Sequence, residues 1–389
     1  MFLRLVPSIT LPQLYALLFW ASLSLLIYTH AGYPVLMFCL GRFAPRRAAQ
    51  SSSIELPTVT VVLAVCNEVQ RITTRLQNLL YVDYPKGKLS VVIVSDGSTD
   101  ATVAKIQELN DSRIQLIVQA QRSGKACCLN QALAVARGEI IVFADARQRF
   151  TPQTIPRLVN RLQQPEIGAV SGALEVDPAA SSVGEGVDLY WRIEKLLRHS
   201  EARWDSCIGC TGAVYAIRRN LFKKLAPDTL LDDVVIPMQI VMQGYRVVFE
   251  PEAIAHDPQT LDSGREIVRK RRTLAGNYQM LFRHWHWLLP WRNRLWWALI
   301  SHKYLRLTAP FLMLAIFTSS AVLAGQPLYR LLFFGQGLFY MLAVCGLMCS
   351  SWRTSLFSIP AGFVFLNWMA LSGLWHYFRH PARAVWEKA

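Results

Sequence analysis

Leu89-Ser-Val-Val-Ile-Val-Ser-Asp-Gly-Ser-Thr-Asp100 is the stretch that decides the fold. Val91 to Val94 is a short run of β-branched apolar residues, the pattern of a strand buried on both faces of a parallel sheet. It stops at Asp96-Gly97-Ser98, a turn triplet, so a carboxylate stands at the carboxyl end of a central strand. In open α/β sheets that edge is where ligands sit, and Gly97 lets the backbone pass close to one. Thr99-Asp100 then offer N-cap side chains for a helix through about Leu109.

Working outward, the same pattern repeats. Pro57–Val65 reads as a buried strand ending on Cys66-Asn67-Glu68, followed by a helix through Leu80. Ile114–Val118 is a strand, Gln121–Lys125 a Gly-containing loop, and a Leu- and Ala-rich helix runs to Ala136, capped by Gly138. Glu139–Phe143 is a further strand, ending on Ala144-Asp145-Ala146-Arg147. Alternating strands and helices predict a doubly wound, mostly parallel sheet. Asn67-Glu68, Asp96 and Asp145 then share one edge. Beyond Thr151 the expected elements are a helix over 152–162, a strand over 170–176, a long helix over 187–203 with Tyr190, Trp191 and Glu194, and a Gly-punctuated strand over 208–217. Leu231-Asp232-Asp233 precedes an apolar-periodic helix over 234–243, and Arg246–Glu250 is a last strand. A basic segment from Glu266 through Arg272 leads to Trp285-His-Trp287.

The chain has 389 residues, is 52% hydrophobic and carries a formal charge of +15. The apolar excess lies at the ends. No Asp, Glu, Lys or Arg occurs over 5–40, 307–329, 331–352 or 354–378, and each stretch can span a bilayer, which needs about 20 apolar residues. The first is too long for a signal peptide and lacks a small-residue cleavage site. The expected layout is an N-terminal transmembrane helix (1–41), a water-facing domain (55–290), an interfacial segment (291–306), C-terminal transmembrane helices (307–378) and a tail (379–389). Arg42, Arg46 and Arg47, then Arg292, Arg294, Lys303 and Arg306, crowd the membrane ends, the positive-inside pattern that puts the middle domain in the cytoplasm. Four simple spans with an outside N-terminus leave the C-terminus outside as well, against the tail's Arg379, Arg383 and Lys388. A nucleic-acid partner would want a basic, aromatic-interleaved face, and none is present. Cys207-Ile-Gly-Cys210 has metal or redox spacing, but no second Cys pair or His cluster completes a zinc site; the eight cysteines read as small buried thiols.

The residues at the sheet edge suit a nucleoside diphosphate. Asp96 and Asn67 can accept from and donate to a base or ribose, and Lys125 can neutralise a phosphate. Asp145 can reach a divalent cation, Mg2+ or Mn2+, that bridges carboxylate to diphosphate. Asp232 or Asp233 can serve as general base for a hydroxyl. Arg269, Arg271 and Arg272 can bind a diphosphate leaving group. Singly, each has a plainer reading: polar loop residues after strands, an N-cap at Asp232, a lipid-facing basic run, core aromatics at 190 and 191. Together they are far more specific.

That set, in this order, resembles the membrane-integrated family 2 glycosyltransferases with a GT-A domain, the group that includes cellulose, hyaluronan and poly-N-acetylglucosamine synthases. The matching pieces are Ala64–Glu68, Ser95–Asp100, Gly124-Lys125 leading to Leu129-Asn130, Phe143–Arg147, Gly209–Ala213, Leu231–Asp233 and Arg269–Thr273. The resemblance implies that Asn67, Glu68, Asp96, Lys125, Asp145 and Arg269 bind the donor and that Asp145 meets the metal. It makes Asp233 the catalytic base, with Asp232 beside it and Arg272 on the diphosphate. Tyr190, Trp191, Gly209, Cys210, Thr211 and Gly212 would line the acceptor site. Three positions depart from the family: Asp-x-Asp is Asp145-Ala-Arg147, Thr-Glu-Asp is Leu231-Asp-Asp233, and Gln-x-x-Arg-Trp is Arg269-x-x-Arg272-Thr273.

The reading that follows is inverting transfer from a nucleotide sugar, expected to be UDP-linked, to a glycan or lipid-linked acceptor. The setting is the cytoplasmic face of a bacterial inner membrane, in exopolysaccharide or cell-envelope glycan synthesis. A non-processive transferase acting on a lipid-linked acceptor is an alternative. A non-catalytic, nucleotide-binding scaffold marked by Arg147 is another.

Overall fold

The computed structural model describes residues 10–45, 55–176, 185–257, 263–348 and 354–379. Helices α1 (Leu11–Ile27) and α2 (Tyr33–Phe43) are joined by a π-helical turn over Tyr28–Gly32 into one apolar rod. Then come β1 (Val59–Val65), α3 (Ile72–Leu80), β2 (Leu89–Asp96), α4 (Thr102–Glu108), β3 (Ile114–Gln119), α5 (Lys125–Val135) and β4 (Ile140–Ala144). They are followed by β5 (Arg149–Phe150), α6 (Thr154–Leu162), β6 (Ile167–Val176), α7 (Glu185–Trp204), β7 (Val214–Arg218), α8 (Asp232–Val241), β8 (Arg246–Asp257) and α9 (Ser263–Arg283). Last come α10 (Trp296–Leu299), a second π-helical turn over Ile300–Tyr304, α11 (Leu305–Val322), α12 (Pro327–Met348) and α13 (Ser355–Arg379).

The sheet has eight strands in the order β3-β2-β1-β4-β7-β6-β8-β5. Pairings β3–β2, β2–β1, β1–β4 and β6–β8 are parallel, while β4–β7, β7–β6 and β8–β5 are antiparallel. Such a mixed, mostly parallel sheet is the GT-A type expected from the sequence. Strands β1 and β4 are buried along their whole length, as runs without a polar face must be.

Several local expectations are corrected. The stretch 208–217 is not one strand: pairing begins at Val214, and 208–213 is a loop laid against the start of α8. The cause is steric. A Cβ on Gly212 would come within 2.9 Å of Asp233 Oδ2, and the Cys210 N–H donates to the Asp233 carbonyl at 2.8 Å. Gly138 is not a helix cap; α5 ends at Val135 with Ala136 as its C-cap, and Gly138 donates its N–H to Thr60 Oγ1 (2.9 Å) where any Cβ would strike the β1 backbone. Lys125 opens α5 instead of riding the loop. Asp232 and Asp233 lie at the N-terminus of α8 as expected, but the helix opens at Asp232, not Val234, with Leu231 in the N-cap position. The last strand runs on to Asp257.

Among the described residues, four helical rods are long and apolar enough to cross a membrane: Leu11–Phe43, Trp296–Val322, Pro327–Met348 and Ser355–Arg379. They grip the domain through helices α7 and α9. A Cβ on Gly41 of α2 would meet the Ser200 carbonyl of α7 at 2.8 Å, and one on Gly373 of α13 would meet Leu274 of α9 at 2.7 Å. Only hydrogen at those positions allows such close approach. Arg294, counted above among the juxtamembrane charges, pairs with Asp205 at 3.0 Å and donates to the Val241 and Tyr245 carbonyls. It braces the joint between domain and membrane segments.

Candidate active site

The site is assembled around Lys125. Its ammonium lies 3.2 Å from Asp145 Oδ1 at the end of β4 and 3.3 Å from Asp232 Oδ2 in the first turn of α8. Burial disfavours the charged amine, but Asp145, Asp232 and Asp233 more than offset this and hold its pKa above the ordinary lysine value. A carboxylate from the parallel half of the sheet and one from the far side are thus clamped by one cation.

Asp96 fixes where that cation sits. It is fully enclosed, and its carboxylate accepts the N–H groups of Ser123 (2.6 Å) and Gly124 (3.1 Å), the turn leading into α5. Gly124 has φ +91°, a conformation that favours glycine. Asn67, at φ +53°, accepts the Thr99 N–H through Oδ1 at 2.8 Å, locking the β1 and β2 ends together. Glu68 pairs with Arg71 at 3.4 Å.

Asp233 lies beside the clamp, half-buried. Burial raises its pKa from 3.8 to about 6, helped by Asp232 and opposed by Lys125, Arg198 and Lys303. The 209–212 loop covers it, and that loop is pinned from behind: Thr211 N–H donates to Ser171 Oγ (2.9 Å), and Arg198 Nη1 donates to Thr211 Oγ1 (2.9 Å). Cys207 and Cys210 are free and buried, and burial pushes both thiols up, which leaves them unreactive. Arg272, half-buried on α9, lies near enough to Lys125 to oppose its charge, while Arg269 is exposed. The side chains of Tyr190 and Trp191 lie outside the described residues.

The structure therefore brings Asp96, Lys125, Asp145, Asp232, Asp233 and the 209–212 loop together, with Arg272 at their margin. Asn67 and Glu68 stand at the carboxyl end of β1, against Ser98, Thr99 and Thr102, and Arg269 is exposed. Sequence reading missed three supporting groups. Fully buried Arg75 donates Nε to the Asp145 carbonyl at 3.0 Å and lies over the Phe150 ring, and burial lowers its pKa to about 9. Ile72, Arg75, Leu76 and Leu79 fall at i, i+3, i+4 and i+7, so an arginine on an apolar helix face was the available signal. Tyr215, stacked on Phe143 at 4.3 Å, keeps an unpartnered hydroxyl beneath the aspartates. Asp257 takes Arg147 (2.6 Å) and Gln148 (3.0 Å). No sequence signal pointed to the last two.

For a cation, the donor set is thin. No group of three His, Cys, Asp or Glu side chains fit for a metal occurs among the described residues. Asp145 is partly exposed, and Arg147 turns toward Asp257. That fits an ion carried mainly by diphosphate oxygens with one protein carboxylate, as Mg2+ is often held.

Residues 60–226 match the Glycosyl transferase family 2 profile. That segment carries a family 2 glycosyltransferase domain, and four helices among the described residues, long and apolar enough to cross a membrane, flank it. It is 28% identical over 251 residues to the poly-β-1,6-N-acetyl-D-glucosamine synthase of Staphylococcus aureus (strain COL), covering 59% of this chain and 57% of that protein. It is 27% identical over 223 residues to the probable glycosyltransferase YdaM of Bacillus subtilis, covering 53% and 52%. The chain thus spans about half the length of the curated relatives it matches. Among solved structures, the mannosyltransferase PcManGT from Pyrobaculum calidifontis, in complex with GDP-Man and Mn2+, superposes with a TM-score of 0.71 at 22% identity, over 93% of this chain and 99% of that one. That likeness establishes the shared fold.

Proposed function

We propose that the protein transfers a sugar, with inversion, from a UDP-linked nucleotide sugar to an acceptor hydroxyl at the cytoplasmic face of a bacterial inner membrane, in making an exopolysaccharide or cell-envelope glycan. The observation carrying this reading is the Asp145–Lys125–Asp232 clamp with Asp233 beside it. Asn67, Glu68 and Asp96 belong to the nucleotide end, and Lys125, Arg272 and Arg269 to the diphosphate. Asp233 takes the acceptor proton as that oxygen attacks the anomeric carbon, and the bond from that carbon to the diphosphate oxygen breaks on the opposite side. Its raised pKa makes it a better base than an ordinary carboxylate while leaving it ionised at neutral pH. The departing charge meets Lys125 and Arg272, already in place before reaction. A divalent cation bound at Asp145 would neutralise diphosphate charge. The Staphylococcus relative's name supports an N-acetylhexosamine donor, and the PcManGT complex supports a nucleoside-diphosphate sugar with a metal.

A lipid-linked acceptor with single transfer is the second reading. Thr273 replaces the aromatic that would meet a polymer, and α7 and α9 seat the acceptor side against membrane helices. The test is a panel of nucleotide sugars presented to the purified protein in lipid, with and without chelator, measuring released diphosphate and product size. One donor turned over to long chains supports the synthase, and single additions support the second reading. No release from any donor removes both.

A further inference from the structure

The two π-helical turns, one in each of two membrane rods, meet at a buried polar cluster that the transfer chemistry does not use. Tyr28 of the first turn bonds Ser301 of the second through their hydroxyls at 2.8 Å. π-turns are rare and gather at functional positions. His302, in the second, is 1% exposed and stands between two carboxylates of α7. Its Nδ1 is 2.7 Å from Glu201 Oε1, and its Nε2 is 3.1 Å from Glu194 Oε1. Tyr33 donates to the same Glu201 oxygen at 2.7 Å, and Arg306 donates to Glu194 Oε2 at 3.0 Å. Glu194 then pairs with Arg198 at 3.4 Å, and Arg198 holds Thr211 at 2.9 Å in the loop that covers Asp233.

We propose that His302 is a positioning residue for the catalytic base. The chain His302–Glu194–Arg198–Thr211 transmits the placement of a membrane helix to the 209–212 loop, and so to Asp233. This rests on the reading of Asp233 as base. A buried ionic set of this kind strongly penalises loss of any one partner, because the remaining charges stay desolvated. Such a set contributes little net stability, so its value lies in fixing one arrangement. The arrangement it fixes is the depth at which α7 sits on the membrane segments. A transferase whose acceptor emerges from or returns to the bilayer needs its base registered to that surface.

The test uses the full chain in lipid nanodiscs, with His302→Gln, Thr211→Val, Thr211→Ser and the His302→Gln/Thr211→Val pair. Backbone amide exchange is followed by mass spectrometry alongside transfer kinetics. His302→Gln should speed exchange over 207–213 by about tenfold while β1 and β2 keep their protection. Turnover should fall by roughly tenfold or more with donor KM within about twofold, the split expected of a misplaced base. Thr211→Val should behave alike, Thr211→Ser should restore most of the rate, and the double variant should be little worse than the worse single one. Unchanged exchange over 207–213, multiplying effects in the double variant, or a donor KM that rises as turnover falls would each overturn the proposal. If the wild type turns over no donor, the functional reading fails, and exchange over 207–213 alone decides the coupling. Should His302→Gln not fold, Tyr33→Phe, which removes one bond to Glu201, takes its place with a smaller rise in the same segment expected.

Discussion

On the parallel side of the sheet, Asp96 and Asp145 stand at strand ends and are held by the elements beside them: the Asp96 carboxylate by the Ser123 and Gly124 amides, the Asp145 carbonyl by the Arg75 guanidinium. On the far side, Asp233 stands in the first turn of α8 under a glycine loop that leans on α7, and α7 leans on membrane rods. One half of the site is fixed by the domain's own core, the other by a joint between domain and bilayer segments. Lys125 is where the halves touch. On the proposed roles, the difference means that donor binding and acceptor activation can fail separately.

Changing the far half at its centre has the largest expected effect. Asp233→Asn should cut transfer by about 10²–10⁴-fold, the range of a lost general base, with donor affinity nearly unchanged; comparable loss of donor binding would erase the distinction between the halves. Next, Lys125→Met strips the shared cation from Asp145 and Asp232. Both donor KM and turnover should worsen, turnover by roughly 10²-fold, since a fixed charge on the leaving group is lost. Kinetics in which only one parameter moved would assign Lys125 to one half alone.

The pH profile sharpens the contrast. As the proposed base, Asp233 acts only when ionised, so turnover should drop about tenfold per unit as pH falls below about 6, while donor binding stays flat there. The sign for stability is opposite. Because the folded pKa lies above the unfolded value of 3.8, this group's contribution is greatest at low pH and is lost as pH rises through about 6. Melting curves should therefore show Asp233→Asn gaining on wild type at pH 8 relative to pH 5. A constant gap would contradict the raised value.

Smaller effects test the supports. Gly212→Ala places a methyl 2.9 Å from Asp233 Oδ2 and should lower turnover by about tenfold with little change in donor KM. Asp96→Asn keeps one acceptor oxygen but loses the charge that receives two amides; donor KM should rise roughly threefold with turnover near wild type. A larger turnover loss in the second than in the first would reverse the assignment of the halves.

How much of this was legible before any coordinates is uneven in the same way. The run Val91–Val94 ending on Asp96, and its counterparts ending at Asn67 and Asp145, announced themselves because a strand buried on both faces is apolar without a break. Their sharing one edge follows from parallel connection alone. The 208–213 loop was read as strand because Ile208, Ala213 and Val214 flank glycines, and nothing local reveals that the glycines exist to admit Asp233. Tyr215 and Asp257 were silent for a related reason, and Arg75 showed only as a charge on an apolar helix face: each matters through a partner at least 70 positions away.

The sequence by itself determined the membrane rods, the parallel strands and the identities of the acids and bases, since these depend on composition and period within short windows. Only the tertiary structure decided that Lys125 bridges Asp145 and Asp232, that Arg147 answers Asp257, and that His302 stands between Glu194 and Glu201 of α7. Those are choices among long-range pairings of opposite charge. The packing of helices on the sheet makes them, through close contacts such as Gly41 on Ser200, and no local pattern encodes which pair will meet.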